Sequence, residues 1–187
     1  MIYNYDLKTV GLIVGIALVA VHLIGVIYAK GMKRLAQAFP RSRAMGVALL
    51  GIATAWAFWL VATMDLGEFS GMRSMLKMIV PIACVLTYFF VEDFLSVRAL
   101  GMILLLLAEP VLEAAFLRPE QGKLLLVVLA YGWIIFGMFW VGMPYLMRDQ
   151  IAWLAKSNAR WMAACFGGIL YGAVVIFCAL AYFQSQY

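Results

Sequence analysis

The sequence predicts an all-α polytopic integral membrane protein, a bundle of about six transmembrane helices with short loops. Three observations carry that prediction. Of 187 residues, 67% are hydrophobic and 12% charged, against about 45–50% and about 25% in soluble domains, and the mean hydropathy is +1.01. Six apolar stretches, most near the roughly 20 residues that a helix needs to cross a bilayer core, are separated by charged or turn-forming clusters. Lysines and arginines gather at the ends of those stretches, where lipid headgroups lie. A core of this size cannot bury so much apolar surface. That excludes a soluble enzyme, a nucleic-acid-binding domain, a disordered segment and a disulfide-stapled secreted module. Residues 1–187 read as one transmembrane domain with no room for a soluble one beside it.

The first span is expected over residues 10–29. Only Lys8 and Asp6 carry charge before it, and no small-x-small cleavage site follows it, so it reads as a retained span rather than a cleaved signal. The second is expected over 45–64. The third, 75–91, is shorter and contains Pro81. The fourth, 94–117, is interrupted by Arg98, Glu109 and Glu113, so spans three and four either cross fully or form a re-entrant or tilted hairpin. The fifth runs over 124–147 and the sixth over 161–183. Between them, residues 148–160 mix Ile151, Trp153 and Leu154 with charges, which is the pattern of a short interfacial helix.

Orientation follows from Lys and Arg. With six spans, loops one, three and five share a side and carry nine basic residues against five on the other. The basic side is expected to be cytoplasmic, in a bacterial inner membrane, with both termini outside. Trp153 and Trp161 flank the fifth loop, and Tyr182, Phe183 and Tyr187 close the chain at the opposite interface. The excess charge of +5 therefore reads as orientation and lipid contact, with no nucleic-acid partner.

Span four holds the most informative chemistry. Glu109 and Glu113 are four apart and share one face of a helix. Counted from Arg98, Glu109 lies roughly 16 Å into the bilayer, or about 22 Å if the helix begins at Phe94. Carboxylates at that depth face a cavity, a partner or a pathway. The other reading is a span that ends at Ala108, with Pro110 opening an interfacial turn. His22, the single histidine, lies about 12 Å from Lys30 by the same rise, which permits a titrating pair with Glu109. Alternatively it bonds a neighbouring carbonyl. The Glu92-Asp93 pair reads as a solvated turn.

Gly11 and Gly15, and Gly168 and Gly172, have the spacing that lets helices approach closely. Trp56 and Trp59 fall inside span two, where an indole N–H needs a partner, so they point to a helix–helix or subunit contact. Cys84, Cys165 and Cys178 lack any redox or metal spacing. One histidine cannot provide bis-histidine haem ligation, no metal site is expected, and no cofactor can be named. No P-loop, nucleophile elbow, voltage-sensor arginine run or potassium filter is present. These readings favour a non-catalytic accessory or scaffolding subunit, partnered by lipid and by other membrane subunits or itself. The alternative is a small transporter, channel or substrate-binding transport component that uses Glu109, Glu113 and His22.

Overall fold

The computed structural model describes residues 3, 5–91, 93–120 and 122–182. Among them the chain forms eight α-helices and two 3-10 turns, with no strand. The helices are α1 (Leu7–Ile27), α2 (Ala29–Ala38), α3 (Arg43–Thr63), α4 (Arg73–Phe90), α5 (Leu95–Ala115), α6 (Lys123–Gly142), α7 (Tyr145–Ala155) and α8 (Asn158–Ala181). All but α2 and α7 are long and apolar enough to cross a membrane. The third and fourth stretches form two separate helices, each long and apolar enough to cross. Glu92, Phe183 and Tyr187 lie outside the described residues.

Helix ends shift from the expected ones for local reasons. α1 starts at Leu7 and stops at Ile27, because the chain breaks at Tyr28 (φ −109°, ψ 40°) before turning into α2. The fifth span ends at Gly142, five residues early, because Pro144 halts it although the apolar letters continue. Pro110 does not end α5; it lies inside the helix, which continues to Ala115. The carbonyl that proline leaves unbonded costs little where neighbouring helices or local adjustment satisfy it. The stop comes at Leu117, whose φ of 55° is left-handed, just before Arg118-Pro119.

The helix α5 is central, with the largest buried share of the six spans. Its buried face is rich in small residues, including Ala99, Gly101, Ala108, Ala114 and Ala115. Small faces drive association in lipid, where dispersion and not apolar burial holds helices together. α6 crosses α5 so closely that a Cβ at Gly101 would lie 2.8 Å from the Gly137 carbonyl oxygen. On the other flank α3 meets the start of α5 at Gly46, where a Cβ would come within 2.8 Å of the Ser96 amide nitrogen. α4 packs mainly on α3 and contributes no buried residue.

α1 and α8 form a second tight pair. A Cβ at Gly172 would lie 2.9 Å from the Gly15 carbonyl oxygen, and one at Gly15 only 2.6 Å from Ile176. Gly11 is also buried on α1. This pair joins α5 and α6 in one apolar core built from Leu7, Val10 and Val14, Ala108, Val111 and Ala114, Leu126 and Ala130, and Val175 and Ala179. A smaller cluster at the other end unites Leu50, Leu95 and Ala99 of α3 and α5.

Candidate functional site

The face of α5 that carries Leu105, Glu109, Leu112 and Glu113, with Phe116 just past its end, opens onto a pocket of about 850 Å³. Spacings of three and four residues align these side chains in one stripe. α3 supplies the facing wall, with Trp59 and Thr63 on the helix and Asp65 just beyond it, while Ile134 of α6 closes the side. Glu109 is fourteen residues into α5, hence about 21 Å from its start at ~1.5 Å per residue. It faces this pocket from inside an unbroken helix, so Pro110 opens no turn there.

Asp65 is held at the lip because its Oδ1 accepts a bond from the Gly67 amide at 3.0 Å. Thr63 donates its hydroxyl to the Trp59 carbonyl at 2.8 Å. Among the described residues the lining therefore bears three carboxylates and no Lys, Arg or His. Both α3 and α5 end at this site, so their C-terminal carbonyls add partial negative charge. Arg73 offsets part of it, donating from Nη2 to the Met64 carbonyl at 2.8 Å and from Nη1 to that of Ala62 at 3.5 Å. Two glutamates one turn apart repel each other, and that repulsion is strengthened where water is scarce.

Aromatic groups crowd the same region. The Tyr3 amide donates to the Glu113 carboxylate at 3.3 and 3.4 Å. Its hydroxyl accepts a 2.6 Å bond from the Trp56 indole. The Tyr3 ring lies 5.5 Å from that of Trp59 and stacks 5.5 Å from that of Tyr5. Burial holds the Tyr3 phenol above its ordinary pKa; the Trp56 bond opposes that, and the carboxylates of Glu109 and Glu113 add to it. The phenol stays protonated at neutral pH. Trp56 thus finds its partner within the chain, while Trp59 is 44% exposed and lines the pocket.

His22 is not brought to the glutamates. Its Nδ1 lies 2.7 Å from the Leu18 carbonyl oxygen. Its ring fills the space over Gly168, where a Cβ would sit 2.3 Å away. Its depth differs from the expected one because α1 ends at Ile27 rather than near Lys30. His22 is therefore about 8 Å from that end, while Glu109 is about 21 Å from the corresponding end of α5. Gly168 serves this ring, whereas Gly15 and Gly172 bring the backbones together. Cys84, Cys165 and Cys178 are free thiols.

Sequence reasoning missed Tyr3, Thr63 and Asp65. Asp65 was visible as a carboxylate just past span two, on the side where span four places Glu113. Nothing in the sequence pointed to Tyr3. Among the described residues no three His, Cys, Asp or Glu side chains converge closely enough to hold a metal ion. Comparison with protein-family models, curated proteins and solved structures finds no match.

Proposed function

We propose that the protein is a small membrane transport component that binds a cationic solute at this pocket. The observation that carries the reading is the shared lining of Glu109, Glu113 and Asp65 with Trp59 and Phe116. The volume suits a small molecule. Carboxylates spread around a wide pocket with aromatic walls fit an organic ammonium better than a small metal ion, because an aromatic face attracts a cation while tolerating its apolar substituents. In this reading the pocket opens to the outer side of a bacterial inner membrane, with the basic end of the bundle in the cytoplasm, and His22 serves helix packing alone.

The test is the thermal stability of the purified protein with choline or methylammonium, at constant ionic strength against sodium chloride. One of these probes raises the unfolding midpoint of the wild type and fails to raise that of Glu109→Gln. Absence of any shift in the wild type, or an equal shift in the variant, refutes cation binding at this site.

A second reading, an accessory subunit of a larger membrane complex, draws support from α4. That helix buries no residue and exposes Met78, Ile82, Val85, Leu86, Phe89 and Phe90. Native mass spectrometry from mild detergent separates the two readings. Unrelated subunits in fixed ratio favour the accessory role, and a monomer or small homo-oligomer favours transport.

A further inference from the structure

Charge is divided unequally between the two ends of the bundle. Among the described residues, the end formed by α2, α7 and the starts of α3, α5 and α8 carries nine Lys and Arg against two Asp and Glu. The pocket end carries five against six. Packing joins the basic elements into one surface: α2 touches α7, and the turn Phe39–Arg41 touches α5, where the Ser96 hydroxyl donates to the Phe39 carbonyl at 2.6 Å. The Arg148 guanidinium stands 5.8 Å over the Phe94 ring.

Within this surface α2 is distinctive. At 100° per residue its Lys33, Gln37, Lys30 and Arg34 fall within an arc of about 100°, and Met32 and Leu35 occupy the other side. Its sequence contains no acidic residue. Lys33 is pinned: its ammonium donates to the Asn158 side chain and lies 5.8 Å over the Trp161 ring. Trp161 in turn donates its indole N–H to the Gly25 carbonyl at 2.9 Å, one of the unbonded carbonyls at the end of α1. These contacts fix α2 against α8. Lys30 and Arg34 are left exposed on its free side, without a hydrogen-bonding or ionic partner among the described residues. Arg41 and Lys156 nearby are in the same state. Trp153, 57% exposed, carries the Arg160 guanidinium at 4.5 Å from its ring centre, an amphipathic group suited to headgroup depth.

We infer that α2 and α7 form a shelf that binds anionic phospholipid headgroups, with Lys30 and Arg34 taking the phosphodiester and Leu35 lying along the acyl boundary. Unpartnered cations on a helix anchored from behind meet a negative leaflet without rearrangement, so little ordering cost opposes the attraction. The inference is independent of the pocket and stands whether or not that site binds a cation.

The full-length protein in dodecyl maltoside is titrated with dioleoyl phosphatidylglycerol, with dioleoyl phosphatidylcholine and with inorganic phosphate, and bound lipid is counted by native mass spectrometry. Phosphatidylglycerol binds more tightly than phosphatidylcholine, phosphate does not displace it at equal ionic strength, and Lys30→Gln/Arg34→Gln lowers its affinity by about 25-fold, roughly fivefold per cation. Lys8→Gln/Lys123→Gln, at the opposite end, keeps the preference. The unfolding midpoint in lipid-free detergent checks that both variants are folded. Equal binding of the two lipids, displacement by phosphate, or an unchanged preference in the folded α2 variant overturns the proposal.

Discussion

The crossing of α5 and α6 at Gly101 and Gly137 gives the sharpest test of the packing. A methyl group at Gly101 would stand 2.8 Å from the Gly137 carbonyl oxygen, 3.0 Å from a Val141 methyl and 3.2 Å from the Val141 amide nitrogen. Two of these three are backbone atoms, which no rotamer change can move. Ordinary contact begins at 3.4 Å, so Gly101→Ala must part the helices by about 0.6 Å at the crossing. The bond from Arg98 Nη1 to the Val141 carbonyl, 2.9 Å long, spans the same interface and stretches with it.

Overpacking of this kind costs about 1–3 kcal/mol. The gain in helix propensity on replacing glycine by alanine returns up to about 1 kcal/mol. With the full propensity gain, the expected net loss is about 0–2 kcal/mol. Gly51→Ala on α3 is the control, because a Cβ there meets nothing within 4 Å and only the propensity gain remains. Unfolding in detergent is followed by intrinsic tryptophan fluorescence for both variants. The Gly101 variant should unfold at a lower temperature than wild type, and the Gly51 variant at the same temperature or higher. Gly101→Ala/Gly137→Ala should lose less than twice the single effect, since one separation relieves both clashes. A Gly101 variant as stable as the Gly51 variant would refute close backbone contact at this crossing.

Other consequences are as direct. Trp56→Phe and Tyr3→Phe each remove one partner of the indole–phenol bond and should each cost about 1 kcal/mol. The double variant should cost little more than either single one in the same unfolding assay; full additivity would show that the two residues act separately. Arg73→Gln uncovers the last carbonyls of α3 and should destabilise by about 0.5–2 kcal/mol, with Arg73→Lys recovering part of the loss by charge alone. An unchanged midpoint in the Gln variant would show that water satisfies those carbonyls as well as the guanidinium does.

Hydropathy made the six long helices legible because crossing a bilayer sets a minimum apolar length that few other constraints mimic. Boundaries were less legible, since lipid-facing turns and spans use the same letters. Met143 to Met147 are apolar apart from Pro144 and Tyr145, and the proline alone marks the stop. Pro110 carries the opposite lesson: the same residue type sits inside α5 because the helix around it is packed on several sides. Spacing within one helix exposed the Gly15 and Gly172 pair, for each sits in a repeat. Gly101 has no such repeat, and its partner is on another helix, so no single-segment pattern could reveal it. The carboxylates were visible as an anomaly in a span, but their wall of Trp59, Thr63 and Asp65 depends on how α3 leans.

That lean explains why a pocket exists at all. At the basic end α3 and α5 are drawn together by Gly46 against Leu95 and Ser96, and by Leu50 against Leu95 and Ala99. Toward the other end α5 turns its small residues to α1, α6 and α8, and the core there contains no residue of α3. The two helices therefore part as they leave their contact. The wedge between them is flanked by the side chains least suited to close it, the indole of Trp59 on one side and two glutamates on the other. Closing it would press the polar carboxyl groups of Glu109 and Glu113 against apolar atoms, which costs free energy wherever their hydrogen bonds are not replaced. An apolar pair at these positions would instead let α3 settle onto α5. The glutamates thus keep open the space that they line.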